Sequence, residues 1–371
     1  MKKYIHALPE WPKFHWNDKA LAEQLAAVRH RQGRLIGRMQ ALGFPLREQA
    51  VLTTLTEDVL KSSEIEGEIL DRDQVRSSIA RHLGIEAGAL SPSDRDVDGV
   101  VEMMLDATQK YQEPLTAERL FGWHASLFPT ARSGMNRIIV GAWRDDRQGP
   151  MQVVSKAYSD RPSVHYEAPA TALLEAEMKA FLDWFNSEQP IDPVLKAALA
   201  HLWFVTIHPF DDGNGRIARA VADMALARSE DSTQRFYSMS AQICLERNAY
   251  YDMLEATQKS ADLDITKWLQ WFLACLDRAF SGAEKTLAAV FRKAAFWQKH
   301  RAAPINERQR DMLNRLLDGF EGKLTSSKYA AIEKTSPDTA LRDITALVER
   351  GILKKDEGGG RSTSYSLVEA A

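Results

Sequence analysis

The sequence predicts a mainly α-helical fold that carries one β-hairpin and ends in a small winged helix-turn-helix domain. Two short β-prone runs, 137–143 and 151–155, flank the turn-like RDDRQGP. After the polar run WQKHRAAPINE, helix-forming segments precede a glycine-rich stretch. Elsewhere apolar residues recur at helical spacing, and the first such face holds Leu21, Leu25, Val28, Leu35, Met39 and Leu42.

A helical N-terminal region is predicted over 1–110. Its most informative helix, about 50–67, ends at Gly67, because glycine suits the left-handed position that follows a helix. Glu64 and Glu66 lie in the last turn, where they face the negative end of the helix dipole. Each carboxylate there costs about 0.3 to 1 kcal/mol unless a cation compensates. A solvated acidic helix end and a cation-paired one are both consistent with this pattern.

The central region is predicted over 111–282, with the hairpin at 137–158 and helices that begin at Thr171 and near Ala249. A linker helix over 283–303 then leads to the winged helix region over 304–371. In that region Ser336 and Pro337 open the second helix of the motif, and the glycines 358–360 form the tip of the wing.

Composition excludes several classes of protein. The 48 Lys+Arg and 51 Asp+Glu residues give a net charge of −3, so no overall field attracts nucleic acid or an anionic membrane. The two cysteines, Cys244 and Cys275, form no metal or disulfide framework, which predicts a reducing compartment. The N-terminus lacks the apolar segment of a secretory signal, and WLQWFLACL is too short to span a bilayer. We therefore expect a cytoplasmic protein without a membrane partner.

The most unusual stretch is HPFDDGNGRIARA, 208–220, directly after the apolar LWFVTI. Gly213, Asn214 and Gly215 precede a new helix, whose N-terminus exposes unpaired backbone N–H groups and the positive end of the dipole. Arg216 and Arg219 lie on one face of the same end, where the dipole disfavours positive charge unless an anion compensates. This combination predicts a phosphate-binding site.

Two other groups in this stretch suit nucleotide chemistry. Asp212 offers the hard oxygen that Mg²⁺ takes alongside substrate phosphates, and His208 can act as a general base near neutral pH. His201 and His208 are seven residues apart, but a third zinc ligand at metal-site spacing is missing. The glycines do not fit GxxxxGK[ST], so the loop is not a P-loop. A plain turn at the glycines is the remaining alternative.

The residues HPFDDGNGRIAR match HPFx[DE]GNGRxxR at every defined position, and the sequence therefore resembles Fic-domain proteins. The resemblance implies an α-helical bundle with a β-hairpin flap, and transfer of AMP from ATP, with Mg²⁺, to a hydroxyl of a protein target. Gly215 favours AMP transfer over the phosphate transfer of the Doc branch. EWPKFHWN near the N-terminus and the C-terminal region are also similar to single-chain bacterial members.

The resemblance assigns roles to individual residues. His208 would deprotonate the Ser, Thr or Tyr hydroxyl of the target, and Asp212 would hold Mg²⁺ on the α- and β-phosphates. Arg216 would hold the β-phosphate and Arg219 the γ-phosphate. Phe210 would insert into the core and fix the loop. The anion hole would be formed by Gly213, Asn214 and Gly215.

Two further sites follow from the same resemblance. The helix from Ala249 resembles the nucleoside-side helix of the family, although a Tyr pair on an amphipathic helix is as often part of a core. Its candidate adenosine contacts are Tyr250, Tyr251 and Gln258. The hairpin resembles the flap that clamps a target by main-chain pairing, with an ordinary surface hairpin as the alternative. Its candidate residues are Val154, Ser155, Lys156 and Ala157.

Ser62, Glu66 and Gly67 fit [ST]xxxE[GN], the inhibitory pattern of the family. The resemblance implies that Glu66 pairs with Arg219 and blocks productive seating of the γ-phosphate. Members of this class can also remove AMP from a target, so that activity stays open.

The rival interpretation is a DNA-binding or protein-interaction regulator with a subordinate Fic domain. Residues 304–371 hold eleven basic and eleven acidic side chains, a poor charge pattern for binding a phosphate backbone. Protein contact or homodimer assembly is therefore favoured over DNA binding for this region. Transfer of another nucleotide, such as UMP, also stays open.

Overall fold

A computed structural model describes residues 4–85, 91–147, 149–155, 163–317, 319–320, 322–356 and 363–368. Helices dominate the described residues, which confirms the mainly α class. A short 3₁₀ helix, Ile5–Ala7, precedes the first α-helix. The α-helices are α1 (Asp18–Gln40), α2 (Phe44–Ile65), α3 (Arg72–Leu83), α4 (Arg95–Gln109), α5 (Ala117–Leu127), α6 (Thr171–Asn186), α7 (Pro193–Ile207), α8 (Asn214–Glu230), α9 (Met239–Leu245), α10 (Arg247–Gln258), α11 (Thr266–Thr286), α12 (Ala288–Lys299), α13 (Glu307–Leu317), α14 (Ser326–Ile332) and α15 (Pro337–Glu349). The strands are β1 (Arg132–Ser133), β2 (Asn136–Arg137), β3 (Gln152–Ser155), β4 (Ser163–Glu167), β5 (Leu353–Lys355) and β6 (Tyr365–Leu367).

The chain forms two compact units. The first comprises residues 1–41 and 47–285, so the N-terminal region and the central region that the sequence separates at residue 110 belong to one unit. The second comprises 42–46 and 286–371.

Helices α7 and α8 form the centre of the first unit and pack along each other. Every residue of α7 from Val194 to Ile207 except Lys196 is buried, and so is α8 from Arg216 to Ala227. A helix that is apolar on all sides belongs in the middle of a bundle, which is the position that α7 takes. The loop 208–213 between these two helices is therefore held between fixed ends.

The β-hairpin lies further along the chain than the sequence suggests. Strand β3 pairs with β4, Gln152 opposite Glu167, and not with the run 137–143. The predicted hairpin 137–158 is therefore wrong in its first strand. The reason is that the N–H groups of Ile139 and Arg144 bond to the Asp211 carboxylate and the Pro209 carbonyl, at 2.8 and 2.9 Å. This segment supports the 208–213 loop instead of pairing with β3.

Helix α2 ends in the way that its glycine predicts. Gly67 has a φ of +87°, in the left-handed region that favours glycine. The N–H groups of Gly67 and Glu68 bond to the carbonyls of Glu64 and Ser63, at 3.0 and 3.1 Å. This closed turn fixes the direction in which the chain leaves α2.

The second unit has its own apolar core, which includes Met312, Leu313, Tyr329, Ile344 and Leu347. Helices α13, α14 and α15 precede the antiparallel pair β5 and β6. As expected, Ser336 caps α15 and Pro337 occupies its first turn. The glycines 358–360, predicted as the wing tip, lie outside the described residues.

No helix in the described ranges has the length and apolar character needed to cross a membrane.

Candidate active site

His208 lies directly after α7, at the point where the helix ends. It takes a left-handed conformation with φ +53°, and its N–H still bonds to the Phe204 carbonyl at 3.0 Å. The ring nitrogen Nδ1 lies 3.2 Å from the Val205 carbonyl oxygen. Because a carbonyl only accepts hydrogen bonds, Nδ1 carries the proton and Nε2 is left with a lone pair. The ring is therefore held in the tautomer of a general base.

The pKa of His208 agrees with that role. Burial of the imidazole lowers its pKa to about 4, although the contact with the Val205 carbonyl opposes this shift. His208 is therefore neutral at physiological pH and can accept a proton.

Phe210 and Asn214 fix the shape of the loop. Phe210 is fully buried and stacks on His124, with ring centroids 4.2 Å apart. The Asn214 side chain accepts from the Phe210 N–H at 2.9 Å and donates to the Phe210 carbonyl at 2.8 Å. These two bonds use the Asn214 amide, so only its backbone N–H faces an incoming anion.

Arg144 is a buried residue that sequence reasoning missed. Its guanidinium donates to the carbonyls of His208 and Pro169, at 2.7 and 2.6 Å. Its own N–H bonds to the Pro209 carbonyl. Arg144 therefore ties the 208–213 loop to the chain that follows β4, and nothing in its local sequence pattern signals this long-range contact.

Asp212 presents its carboxylate at the start of α8. The Oδ1 atom accepts from the Gly213 N–H at 2.6 Å, and Oδ2 accepts from the Ser133 hydroxyl. A cavity of about 530 Å³ opens beside this carboxylate. In the described part of the chain, no cluster of three or more His, Cys, Asp or Glu side chains is arranged to hold a metal ion. One carboxylate beside open space fits Mg²⁺, which keeps several waters and binds mainly through substrate phosphates.

The N-terminus of α8 is closely packed. Gly213 has a φ of +77°, and a Cβ there would approach the Phe128 ring to 2.9 Å. A Cβ on Gly215 would lie 2.2 Å from Oε1 of Glu66. No side chain caps this helix end, so its first backbone N–H groups remain for an external acceptor. Glycine at 215 is what allows a carboxylate to lie over this end.

The structure brings Glu66 and Arg219 together. Oε1 of Glu66 lies 2.8 Å from Nη2 of Arg219, whose side chain is 2% exposed. Ser62 adds two contacts, because Nε and Nη2 of Arg219 donate to its hydroxyl and carbonyl at 3.0 and 2.7 Å. Burial acts to lower the pKa of Arg219, but the charge and hydrogen bond of Glu66, together with Tyr250 and Tyr251, outweigh burial, and the pKa lies above its usual value.

Arg216 has a carboxylate partner that the sequence analysis did not identify. Its Nη1 forms an ion pair with Oε2 of Glu68, and its guanidinium lies over the Phe128 ring at 5.1 Å. Burial raises the pKa of the Glu68 carboxyl, Arg216 opposes that shift, and the charge of Asp212 adds to it. Glu68 follows Gly67, so the closed turn of α2 was the available signal.

The predicted nucleoside residues lie in different environments. Tyr250 is buried and its hydroxyl lies 2.9 Å from Nε2 of His201, so in this structure it belongs to the core. Gln258 is also buried and donates to Thr206 at 3.3 Å. Both residues are buried in this structure, and their role as adenosine contacts stays a prediction. Tyr251 is 37% exposed and donates to the Ile65 carbonyl, next to Glu66.

The flap residues are described only in part. Val154 and Ser155 belong to β3, and the Val154 side chain is exposed. Lys156 and Ala157 lie outside the described residues. His165 of β4 contacts Glu255 of α10, with Nδ1 and Oε2 2.7 Å apart, which links the hairpin to the helix of Tyr251.

Part of this chain, including the site, is similar to known proteins. Residues 114–226 match the Fic/DOC family, and residues 4–85 match a domain of unknown function, DUF4172. A protein adenylyltransferase Fic from Nematostella vectensis is 35% identical over 114 residues, 30% of this chain and 24% of that protein. A protein adenylyltransferase fic-1 from Caenorhabditis elegans is 46% identical over 55 residues, 14% and 11% of the two chains. The chain therefore matches a quarter or less of these relatives' length.

Two solved structures share the fold. A Fic family protein from Desulfovibrio desulfuricans G20 has a TM-score of 0.60 at 18% identity, over 96% of this chain and 98% of that chain. A Fic domain containing signaling protein from Bacteroides thetaiotaomicron VPI-5482 has a TM-score of 0.52 at 22% identity, over 71% and 97%. The motif from His208 to Arg219 lies within the segment 114–226, which is similar to the Fic/DOC family, and the chain shares the fold of these two structures.

Proposed function

We propose that this protein transfers AMP from ATP to a hydroxyl group of a protein side chain and releases diphosphate. The observation that carries the proposal is the arrangement at 208–219. A neutral imidazole with a free Nε2 immediately precedes an uncapped helix N-terminus that bears two buried arginines. The named adenylyltransferase relatives support the same reaction.

In this reaction His208 takes the proton of the attacking Ser, Thr or Tyr hydroxyl through Nε2. The hydroxyl oxygen forms a bond to the α-phosphorus, and the bond from that phosphorus to the bridging oxygen of the β-phosphate breaks. The electron pair of the broken bond leaves with diphosphate, and His208 later releases its proton to solvent. The imidazole needs no prior deprotonation because burial keeps its pKa at about 4.

The helix end of α8 supplies the anion site for this step. The backbone N–H groups of Asn214 and Gly215 would donate to phosphate oxygens, as at other helix N-termini, and the Gly213 N–H would join them once it leaves the Asp212 carboxylate. Arg216 and Arg219 would hold the β- and γ-phosphates through charge-assisted hydrogen bonds. Mg²⁺ bound with the nucleotide would be held by Asp212 and would neutralise phosphate charge.

Autoinhibition by Glu66 is part of the proposal. Its carboxylate occupies a donor of Arg219 that a γ-phosphate requires, and it lies over Gly215 at the mouth of the anion site. ATP bound beside this carboxylate would have a displaced phosphate chain and a poorly aligned α-phosphorus. Basal transfer is therefore expected to be slow until Glu66 leaves.

The test uses the Glu66→Gly variant with Mg²⁺ and ATP labelled at the α-phosphate. We expect the variant to label itself and lysate proteins strongly, and mass spectrometry of the labelled peptides then identifies the modified side chains. Parallel reactions with labelled UTP, GTP and CTP measure the nucleotide preference. An absence of label from ATP on any protein would reject the proposed AMP transfer.

A role for the second unit in protein contact is a separate proposal. The exposed face of α15 carries charges of both signs, with Asp338 and Glu349 beside Arg342. The acidic side chains oppose binding of a phosphate backbone. We expect no shift of duplex DNA by the full-length protein in a gel at low salt. A salt-sensitive shift would favour a DNA-binding regulator.

A further inference from the structure

Three glutamates surround the end of α2, and each is paired with a different cation. Glu64 lies 2.5 Å from Nζ of Lys61, one turn earlier on the same helix. Glu66 contacts Arg219, and Glu68 contacts Arg216. Arg219 and Arg216 belong to the candidate phosphate site, whereas Lys61 does not. The acidic end of α2 therefore covers both arginines of that site.

Glu68 and Arg216 differ strongly in burial. The Arg216 side chain is 3% exposed, whereas the Glu68 side chain is 46% exposed. The arginine is therefore fixed in the protein, and the carboxylate reaches it from the solvent side. The closed turn at Gly67 holds the backbone of Glu68 against Ser63, which directs this side chain towards α8.

The environment of Arg216 shows what Glu68 does there. One face of the guanidinium packs on Phe128, and its Nε is buried without a hydrogen-bond partner in the described part of the chain. A buried guanidinium needs an anion, because an uncompensated charge away from water is costly. Glu68 supplies that anion in the absence of nucleotide.

A β-phosphate that binds Arg216 must compete with this carboxylate, since both take the same guanidinium. We propose that Glu68 is a second inhibitory carboxylate, which opposes binding of the β-phosphate at Arg216 as Glu66 opposes the γ-phosphate at Arg219. This inference rests on the phosphate roles of the two arginines in the proposed function. It makes Glu68 a residue that determines which phosphates of a nucleotide the site accepts.

The two carboxylates then have separable effects on nucleotide binding. AMP has neither a β- nor a γ-phosphate and is indifferent to both contacts. ADP meets Glu68 alone, and ATP meets both. A purely structural role predicts the opposite sign, because a Glu68 that positions Arg216 for phosphate would leave ADP bound more weakly when it is removed.

The experiment measures binding of AMP, ADP and ATP, each with Mg²⁺, by calorimetry to full-length protein that carries His208→Ala, so that no turnover occurs. Glu64→Gln, Glu66→Gln and Glu68→Gln are compared in this background. These substitutions keep the side-chain size, and Glu64→Gln is the matched control from the same helix end. Glu68→Gln should raise the affinity for ADP and ATP about tenfold and leave that for AMP within about twofold. Glu66→Gln should raise the affinity for ATP more than that for ADP. Glu64→Gln should leave the affinities for all three nucleotides unchanged.

The proposal is overturned if Glu68→Gln leaves the affinity for ADP unchanged or lowers it, or if it raises the affinity for AMP equally. Failure of the proposed AMP transfer is a different result. In that case Glu66→Gly transfers no label, while Glu68→Gln still raises the affinity for ADP. Glu68→Ala should repeat the effect of Glu68→Gln, and thermal unfolding checks that each variant is folded.

Discussion

The end of α2 and the start of α8 meet at the candidate site with opposite chemistry. Glu66 and Glu68 lie at the carboxyl end of α2, where the dipole disfavours negative charge, and Arg216 and Arg219 lie at the amino end of α8, where it disfavours positive charge. Each end compensates the other. The arginines are 2–3% exposed, whereas the two glutamate side chains are 29% and 46% exposed.

This difference shows which side of the contact can be replaced. The arginines are enclosed by α8 and its neighbours, and removal of their anion would leave a buried charge unpaired. The glutamates retain access to water and lose less when they leave. A polyphosphate is therefore suited to displace the carboxylates and keep the arginines, which is the exchange that the proposed reaction requires.

The largest expected effect concerns His208, which precedes α8. His208→Ala in the Glu66→Gly background should lower the rate of AMP transfer about a thousandfold, as expected for loss of a general base. Nucleotide affinity should change little, because His208 holds no phosphate in this account. Label transfer measures the first quantity and calorimetry the second. Transfer at an undiminished rate would remove His208 from the mechanism.

The second prediction tests whether a phosphate can replace the Glu66 carboxylate at Arg219. Glu66→Gly should raise self-labelling by about 10- to 100-fold, because Arg219 is released for the γ-phosphate. Glu64→Gly, at the same helix end but paired with Lys61, provides the control and should resemble wild type. Equal labelling by wild type and Glu66→Gly would contradict inhibition by this residue.

A third test uses the close approach of the two helix ends. Gly215→Ala places a Cβ 2.2 Å from the Glu66 carboxylate, which should destabilise the wild type by about 1 to 3 kcal/mol. In the Glu66→Gly background the same change should be neutral or stabilising by up to about 1 kcal/mol, since alanine favours a helix over glycine. Unfolding in urea measures both. Equal destabilisation in the two backgrounds would show that Glu66 does not lie over Gly215.

The smallest effect concerns pH. The lowered pKa of His208 means that its neutral, basic form is complete at pH values well above about 4. The kcat/KM of Glu66→Gly, which reports the free enzyme, should therefore change less than about twofold between pH 6 and 8. If His208 had the usual histidine pKa, kcat/KM would fall to half of its maximum near pH 6.5. An inflection at that pH would show that the imidazole is not held in its neutral form.

The sequence predicted the parts of this site that lie close together in the chain. The helix that begins after Gly213 and the turn at Gly67 follow from local patterns, whereas the burial of Phe210 follows from the resemblance to Fic-domain proteins, and the structure has each of them. The mainly helical class follows equally from the spacing of apolar residues.

Long-range contacts could not be predicted in this way. Arg144 and Glu68 carry no local pattern that names their partners, His208 and Arg216, which lie 64 and 148 residues away along the chain. The hairpin was misplaced because 137–143 has strand-like residues, whereas in the structure the Ile139 N–H bonds to the Asp211 carboxylate and the following Arg144 N–H to the Pro209 carbonyl. The amphipathic pattern of α10 does not show which tyrosine faces α7, and the structure buries Tyr250 and Gln258.

The position of the label on ATP tests the central claim most directly. Glu66→Gly is incubated with Mg²⁺ and ATP labelled either at the α-phosphate or at the γ-phosphate, with the Glu66→Gly, His208→Ala double variant in parallel. Our account predicts that α-label becomes attached to protein, that γ-label does not, and that the double variant retains neither. Transfer of γ-label without α-label, or equal α-labelling of the double variant, would contradict it.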